Sequence, residues 1–216
     1  ALGIGGHHSC GIRSAGALWC GGVNSSGELG DGSTQARATP ARVGTASDWV
    51  ALGIGGSHSC GIRSAGELWC WGDTTFGQLD GTAGGSTPTP TRVGTASDWT
   101  AVSSGPLHTC GIRGDRTRQC WGDGKIGQLG DGTTVFAYSP VPTGGSTTWT
   151  RVSVGKYHLC GIRADGSLWC WGRNDTGQLG DGSTDSRTVP VRVGTASDWT
   201  AVSTDRKSGW EGRSVD

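Results

Sequence analysis

Apolar residues occur in short clusters that return along the chain at a fixed interval, with Gly-rich polar stretches between them. In the second copy of this pattern the predicted strands are Trp49–Leu52, His58–Arg63, Leu68–Trp71 and Thr91–Val93. Ser64-Ala65-Gly66 is typical of a tight hairpin connection between the second and third strands. No window has sustained helical periodicity. The pattern therefore predicts an all-β protein.

The segment SHSCGIRSAGELWCWG, which begins at Ser57, recurs with a period of 50 residues. Repeats of this length with four short strands are typical of β-propeller blades, which bury their faces by stacking on one another. We predict one repeat domain over 1–203 and a non-repeat tail over 204–216. The predicted blade units are 1–50, 51–100, 101–150 and 151–203.

Composition and charge exclude several functional classes. The chain has 216 residues, of which 33% are apolar, 42 are Gly and 11 are Trp, so Trp and cystines must supply much of the core. The 18 basic and 18 acidic residues cancel, and no basic run is present, which argues against a nucleic-acid partner. No stretch approaches the roughly 20 apolar residues of a membrane span. Without an initiator Met or a signal peptide, we expect a mature form or a fragment of something longer.

Each unit carries two cysteines ten residues apart, one on either side of the predicted hairpin. The pairs are Cys10 and Cys20, Cys60 and Cys70, Cys110 and Cys120, and Cys160 and Cys170. A hairpin tip near Ala65 places Cys60 opposite Cys70, where cross-strand Cβ atoms lie about 4.5–5.5 Å apart. We expect four disulfides, each worth about 3 kcal/mol by chain entropy, and an oxidising compartment. Zinc bound by His58, Cys60 and Cys70 is the alternative, although the usual C-x-x-C spacing is absent.

The last unit reads GKYHLCGIRADGSLWCWGRNDTGQLGDG from Gly155 to Gly182. This motif resembles the regulator of chromosome condensation repeat family, and the resemblance covers about residues 1–203. It implies four-stranded blades of a propeller that is typically seven-bladed. Four repeats therefore predict a partial ring or a fragment of a larger propeller, in preference to a closed four-blade ring. The family's roles include nucleotide exchange on a nuclear GTPase, β-lactamase inhibition and ultraviolet-B sensing, so the resemblance does not select a function.

Several residues recur once per unit or depart from the repeat. His8, His58, His108 and His158 are equivalent, which predicts a hydrogen-bonding role inside each blade in preference to catalysis. Trp71, Trp121 and Trp171 alternate with cysteines and are expected to pack between blades, while Gly21 replaces this Trp in the first unit and Gln119 replaces the residue equivalent to Trp69. Asp31, Asp131 and Asp181 are expected to cap turns, and calcium at Asp181 with Asp185 is a weaker alternative. No nucleophile–base pair or phosphate-binding loop is present.

Two loops in each unit vary in sequence while the strands repeat, and binding residues tend to lie on loops held by a rigid scaffold. Aromatic side chains dominate protein interfaces, and several interrupt these otherwise polar loops. The predicted partner-binding residues are Phe76, Ile126, Val135, Phe136, Tyr138, Lys156 and Tyr157. The alternative is that these side chains cover a blade edge.

These patterns predict an extracellular or secreted β-propeller scaffold that presents variable loops to a protein partner. Alternatives are a lectin-like module that binds glycans through Trp and Asp, and a structural subunit of a surface assembly. We predict no enzymatic activity, no cofactor and no metal. Self-association is possible if the ring is incomplete.

Overall fold

The computed structural model describes residues 1–79, 81, 84–143 and 148–204. Over these residues the chain forms sixteen strands joined by turns, arranged as four separate four-stranded antiparallel sheets. The all-β prediction is confirmed. The first strands of the second, third and fourth sheets begin at Trp49, Trp99 and Trp149, two residues before the predicted unit boundaries. The boundaries of the tail remain a prediction, because 205–216 lie outside the described residues.

The sheets follow the order of the chain, and each is called a blade below. Blade 1 contains β1 (Leu2–Ile4), β2 (His8–Ile12), β3 (Leu18–Gly22) and β4 (Arg37–Arg42). Blade 2 contains β5 (Trp49–Ile54), β6 (His58–Arg63), β7 (Leu68–Asp73) and β8 (Ser86–Arg92). Blade 3 contains β9 (Trp99–Ser104), β10 (His108–Arg113), β11 (Arg118–Gly122) and β12 (Ala137–Pro142). Blade 4 contains β13 (Trp149–Val154), β14 (His158–Arg163), β15 (Leu168–Gly172) and β16 (Arg187–Arg192).

The fourth strand of blade 2 starts earlier than predicted. The sequence indicated Thr91–Val93, whereas β8 pairs with β7 from Ser86 to Arg92. Pro88 and Pro90 obscured this strand, because proline cannot donate to a sheet ladder. They are tolerated here because β8 is the outermost strand, which has a neighbour on one side only.

The cysteines of each unit are joined by a disulfide across the second and third strands. The bridges are Cys10–Cys20, Cys60–Cys70, Cys110–Cys120 and Cys160–Cys170. In every blade the two cysteines are directly opposite in the strand register, because the short hairpin fixes that register. No cysteine is left free.

The blades stack side by side through their first strands, so β5 packs on β1, β9 on β5 and β13 on β9. Within the described residues the four sheets do not close into a ring. After β16 the chain turns as it does between blades 1 and 2. The Trp199 amide donates to the Gly166 carbonyl, as the Trp49 amide donates to the Gly16 carbonyl. The partial ring predicted from the repeat number is confirmed.

Hydrophobic cores lie between blades, and each blade completes the core of the one before it. The core of blade 1, with Leu18 and the Cys10–Cys20 bridge, is filled by Trp49 and Trp71 of blade 2. Trp71, Trp121 and Trp171 are fully buried, and each indole N–H donates to a carbonyl of the preceding blade at 2.9–3.0 Å. The Trp residues therefore pack between blades, as predicted.

The repeated histidines also join neighbouring blades, whereas the sequence suggested a bond inside each blade. His8 Nε2 is 2.8 Å from Ser59 Oγ, and that hydroxyl donates back to the Glu28 carbonyl of blade 1. His58 and Thr109 repeat the arrangement at 2.9 Å, with the Gln78 carbonyl as acceptor. Blades 1 and 2, and blades 2 and 3, are therefore joined through a histidine, a hydroxyl and a carbonyl.

The interface between blades 3 and 4 is built differently. Leu159 occupies the position of Ser59 and Thr109, so His108 faces no hydroxyl there. Burial, with smaller contributions from His58 and His158, lowers the pKa of His108 to about 3. Arg118 replaces the buried Leu18 and Leu68 and lies 1% exposed in the same interface.

Candidate functional site

Antiparallel order places the variable loops on one edge of the array. In each blade the turn between the first two strands and the long loop between the last two strands lie at the same end of the sheet. We call this edge the loop face. It contains all seven predicted partner-binding residues, because each lies in one of these turns or loops or at the adjoining strand end.

The loop that joins the last two strands of blade 4 is organised by Asn174, which is fully buried. Its amide nitrogen donates to the carbonyls of Ser183 and Asp185 and to the Asp181 carboxylate, and its oxygen accepts from the Leu179 amide. Asn24 makes the equivalent bonds in blade 1, to Asp31, Ser33, Gln35 and Leu29. These two loops therefore have the same internal structure.

Asp181 belongs to this network as a structural acceptor. Burial opposes its ionisation, but hydrogen bonds from Arg187 and Ser183 outweigh burial and lower the pKa of Asp181 to about 2. Arg187 Nε lies 2.8 Å from the carboxylate. The turn-capping role predicted for Asp31 and Asp181 agrees with these contacts, because both accept from a serine two residues on.

The corresponding loop of blade 3 has the same length but lacks the asparagine, because Gly124 occupies that position. A Cβ atom at Gly124 would overlap the Val135 carbonyl oxygen. In blades 1 and 4 the equivalent carbonyls belong to Gln35 and Asp185. Each accepts a hydrogen bond from the side-chain N–H of the asparagine, Asn24 or Asn174. The blade 3 backbone thus fills the space of the missing side chain, immediately before Phe136.

Phe76, Phe136 and Tyr138 form a continuous row of rings across the junction of blades 2 and 3, which we call the aromatic row. The Phe76 and Phe136 centroids are 5.7 Å apart with ring planes at 25°, and those of Phe136 and Tyr138 are 6.3 Å apart at 32°. Tyr138 is 46% exposed and lies against Gly77, where a Cβ would come within 2.9 Å of the Tyr138 Cα. Phe76 and Phe136 are half-buried.

Lys125 extends this site, although sequence reasoning missed it. Its ammonium nitrogen lies 5.1 Å from the centre of the Phe136 ring, in the range of a cation–π contact. Lys125 is exposed and makes no ion pair in the described part of the chain. The available signal was its position beside Gly124, which replaces the asparagine of blades 1 and 4.

The other predicted residues do not all join the aromatic row. Val135 precedes Phe136 and is 61% exposed. Ile126 is the blade 3 equivalent of Phe76. It lies at the junction of blades 3 and 4, because the adjacent Gly127 packs on Thr188 of blade 4. Lys156 and Tyr157 form a separate pair at 4.8 Å, joined by Arg173 at 5.7 Å from the Tyr157 ring.

Other kinds of site find little support in the described ranges. No group of three His, Cys, Asp or Glu side chains is arranged to hold a metal ion there. His8 is buried, which together with the charge on His7 lowers its pKa to about 4. No helix in the part of the chain that the structure describes has the length and apolar character needed to cross a membrane.

Four stacked four-stranded sheets with disulfide-bridged hairpins define the class of protein, a β-propeller-type repeat scaffold. A family profile described as Regulator of chromosome condensation (RCC1) repeat matches residues 15–62 and 165–204, and a second profile of the same description matches 49–78 and 149–178. Together they cover more than half of the sequence. The chain belongs to the regulator of chromosome condensation (RCC1) repeat family.

Solved structures of similar fold are about twice as long as this chain. Human WBSCR16 superposes with a TM-score of 0.87 at 21% identity, over 95% of this chain and 55% of its own. Prp20p from Saccharomyces cerevisiae superposes with a TM-score of 0.79 at 18% identity, over 90% of this chain and 50% of its own. Yeast RCC1 (Prp20) bound to Kap60 superposes with a TM-score of 0.78 at 22% identity, over 94% of this chain and 51% of its own. These identities establish the fold alone, and no curated protein sequence matches the chain.

Proposed function

We propose that this protein is an extracellular, non-enzymatic binding scaffold whose loop face recognises a protein through the aromatic row. The carrying observation is that Phe76, Phe136 and Tyr138 converge from two blades onto one exposed edge. Blade 1 has Ser26, Ala36 and Ala38 at the equivalent positions, and blade 4 has Thr176, Ser186 and Thr188. Apolar rings are therefore concentrated at one junction of an otherwise polar face, as in interface hot spots.

Relatives of the same fold support protein binding as the activity. The yeast protein Prp20p is described by its binding properties to Gsp1p and histones, and yeast RCC1 (Prp20) has been seen bound to Kap60. A propeller scaffold of this family is thus suited to hold a protein partner.

The ring geometry favours a protein partner over a glycan. Sugars stack on open aromatic faces, whereas Phe76 and Phe136 cover each other and the Lys125 ammonium lies over Phe136. The row therefore offers ring edges and the apolar Val135 side chain, which suit apolar side chains of a partner. The 46% exposure of Tyr138 supports binding over the alternative that the rings only cover a blade edge.

Four disulfides support an extracellular location, because such bonds persist in oxidising compartments and are rare in the reducing cytosol. An extracellular scaffold also suits the balance of 18 basic and 18 acidic residues, which gives no electrostatic attraction to nucleic acid.

Selection from a phage-displayed library of random short peptides tests this proposal. We expect peptides whose affinity falls by about tenfold or more on Phe136→Ala, with smaller losses for Phe76→Ser and Tyr138→Ala. Each substitution introduces the residue that blade 1 carries, so the fold tolerates it. Val23→Ala, an exposed apolar residue on the loop face of blade 1, is the matched control and should change nothing. Equal binding by all four variants, or selective signals only on a glycan array, would contradict the proposal.

A further inference from the structure

Both asparagines of the sequence stand in the N-x-S/T pattern that accepts N-linked glycans, with a residue other than proline in between. The two motifs are Asn24-Ser25-Ser26 in blade 1 and Asn174-Asp175-Thr176 in blade 4. Such a motif ordinarily lies in a surface loop of an extracellular protein. The proposed extracellular location therefore makes both asparagines candidates for glycosylation.

Neither asparagine side chain is accessible in the folded chain, because both residues are 0% exposed. The side-chain N–H groups of Asn174 donate to the carbonyl oxygens of Ser183 at 3.0 Å and Asp185 at 3.1 Å. Asn24 donates to the two equivalent carbonyls of blade 1, also at 3.0 and 3.1 Å. Both hydrogens of each amide nitrogen are therefore bonded to the backbone of the loop.

Glycan transfer would change the atom on which these loops depend. A bond forms between the asparagine amide nitrogen and the first sugar, the bond between that sugar and its lipid pyrophosphate carrier breaks, and the nitrogen loses one proton. The modified nitrogen keeps a single N–H, so it cannot donate to two carbonyls, and one of them loses its partner. A bulky sugar on a fully buried atom must also leave the close-packed interior of the loop.

We infer that glycosylation of Asn24 or Asn174 and folding of the loop around it exclude each other. The native protein then carries no N-linked glycan at either position, although both match the acceptor motif. Blades 1 and 4 flank the two blades that carry the aromatic row. The loop face on both sides of the row therefore stays free of sugar, which leaves a protein partner room to approach.

Expression of the full chain behind a secretory signal in a eukaryotic host tests the inference, with peptide mapping to measure glycan occupancy. The Leu179 amide reports on the blade 4 loop, because it donates to the Asn174 side-chain oxygen at 2.9 Å. In chains glycosylated at Asn174, its hydrogen-exchange protection should fall by about a hundredfold or more relative to unmodified chains. The Leu29 amide reports on Asn24 in the same way.

Two matched variants separate the position of a motif from the motif itself. Asp115→Asn creates an N-x-T motif with Thr117 on the exposed hairpin of blade 3. Its glycan should be present on folded chains in which both leucine amides are protected. The double variant Ser26→Ala and Thr176→Ala removes the two natural motifs but keeps the asparagines, so it should carry no glycan and show native protection.

A wild type that is unmodified at both asparagines, while Asp115→Asn is glycosylated, supports the inference. Glycosylated wild-type chains that have lost protection of the corresponding leucine amide support it as well. A glycan on Asn24 or Asn174 together with native protection of that amide would overturn it. Peptide binding depends on residues of blades 2 and 3, so the proposed function and this inference can fail separately.

Discussion

The loops of blades 1 and 4 differ from that of blade 3, although all three have the same length and begin after the same strand. In blades 1 and 4 a buried asparagine fixes the loop through side-chain hydrogen bonds, and the surface is polar. In blade 3 the asparagine is Gly124, the backbone closes over it, and Phe136 and Tyr138 face the neighbouring blade. Blade 3 thus carries an apolar surface on the same scaffold, at the place where blades 1 and 4 have the side-chain network.

Blade 3 also differs in its core, which indicates that its divergence is not confined to the loop. Arg118 stacks on Trp171 at 3.8 Å and on Trp149 at 4.6 Å, and its Nε donates to Thr143 Oγ1 at 2.9 Å. Burial, with a smaller contribution from Arg163, lowers its pKa. At these two positions blades 1 and 4 carry the same residues, Asn and Leu, whereas blade 3 has Gly124 and Arg118 and so differs from them at the surface and in the core.

The largest expected effect is the loss of the asparagine network. Asn174→Ala removes a fully buried side chain that satisfies two loop carbonyls and one amide, so we expect a loss of about 3 kcal/mol in the free energy of unfolding. Chemical denaturation with guanidinium measures it. Thr74→Ala, at the equivalent position of blade 2, is the comparison and should cost less. Equal losses at both positions would remove the distinction between the two loop types.

Arg118→Leu tests the core difference and should stabilise the protein. The change restores the residue of blades 1, 2 and 4, and it removes a buried charge that has no carboxylate partner among the described residues. We expect a gain of about 1–3 kcal/mol in unfolding free energy. Leu68→Arg, the reverse change in blade 2, should destabilise. A lower melting temperature for Arg118→Leu would mean that stacking on the two Trp residues outweighs desolvation.

Gly124→Ala tests how the aromatic row is positioned. The added Cβ would displace the Val135 carbonyl and with it Phe136, at a cost of about 1–2 kcal/mol. Lys125 lies over the Phe136 ring, so its side-chain protons should show ring-current shifts in the wild-type NMR spectrum that diminish in the variant. Gly114→Ala controls for the added methyl group, because this glycine has no positive φ and its Cβ would lie 3.5 Å from the nearest atom, so these shifts should stay unchanged. Shifts that persist in Gly124→Ala would contradict the positioning role.

The smallest expected effect is the acid response of the asparagine-type loops. The pKa of Asp181 is lowered to about 2 in the fold, so its stabilisation is present above its ordinary pKa near 3.8 and is lost as pH falls through 2. Stability should therefore decline in this window, and Asp181→Asn should flatten that part of the profile. Denaturation midpoints measured from pH 5 to pH 2 provide the check, and an unchanged profile in Asp181→Asn would contradict it.

The blade architecture could be predicted from sequence because it depends on local features. The hairpin at Ser64-Ala65-Gly66 fixes the strand register, and the register places Cys60 opposite Cys70. Strand β8 was harder to predict, because Pro88 and Pro90 are acceptable only in an outermost strand. The sequence gives no direct indication of which strand will be outermost.

The packing of Trp71, Trp121 and Trp171 between blades could be predicted, but the hydrogen bonds and ring contacts between blades could not, because they depend on how successive units are stacked. His8 was expected to bond within its blade, but its partner Ser59 lies in the next one. Phe76 and Ile126 look alike as candidates, yet only Phe76 meets Phe136, since each turn packs on the outer strand of the following blade. Lys125 was missed because its role depends on the ring beneath it.

Hydrogen–deuterium exchange of the chain with and without a peptide selected on it tests the central claim most directly. If the aromatic row binds protein, amide protection should increase at residues 74–79 and 133–139, and the loops of blades 1 and 4 should be unchanged. Protection confined to the loops around Asn24 or Asn174, or to Lys156 and Tyr157, would contradict the claim that blades 2 and 3 carry the binding surface.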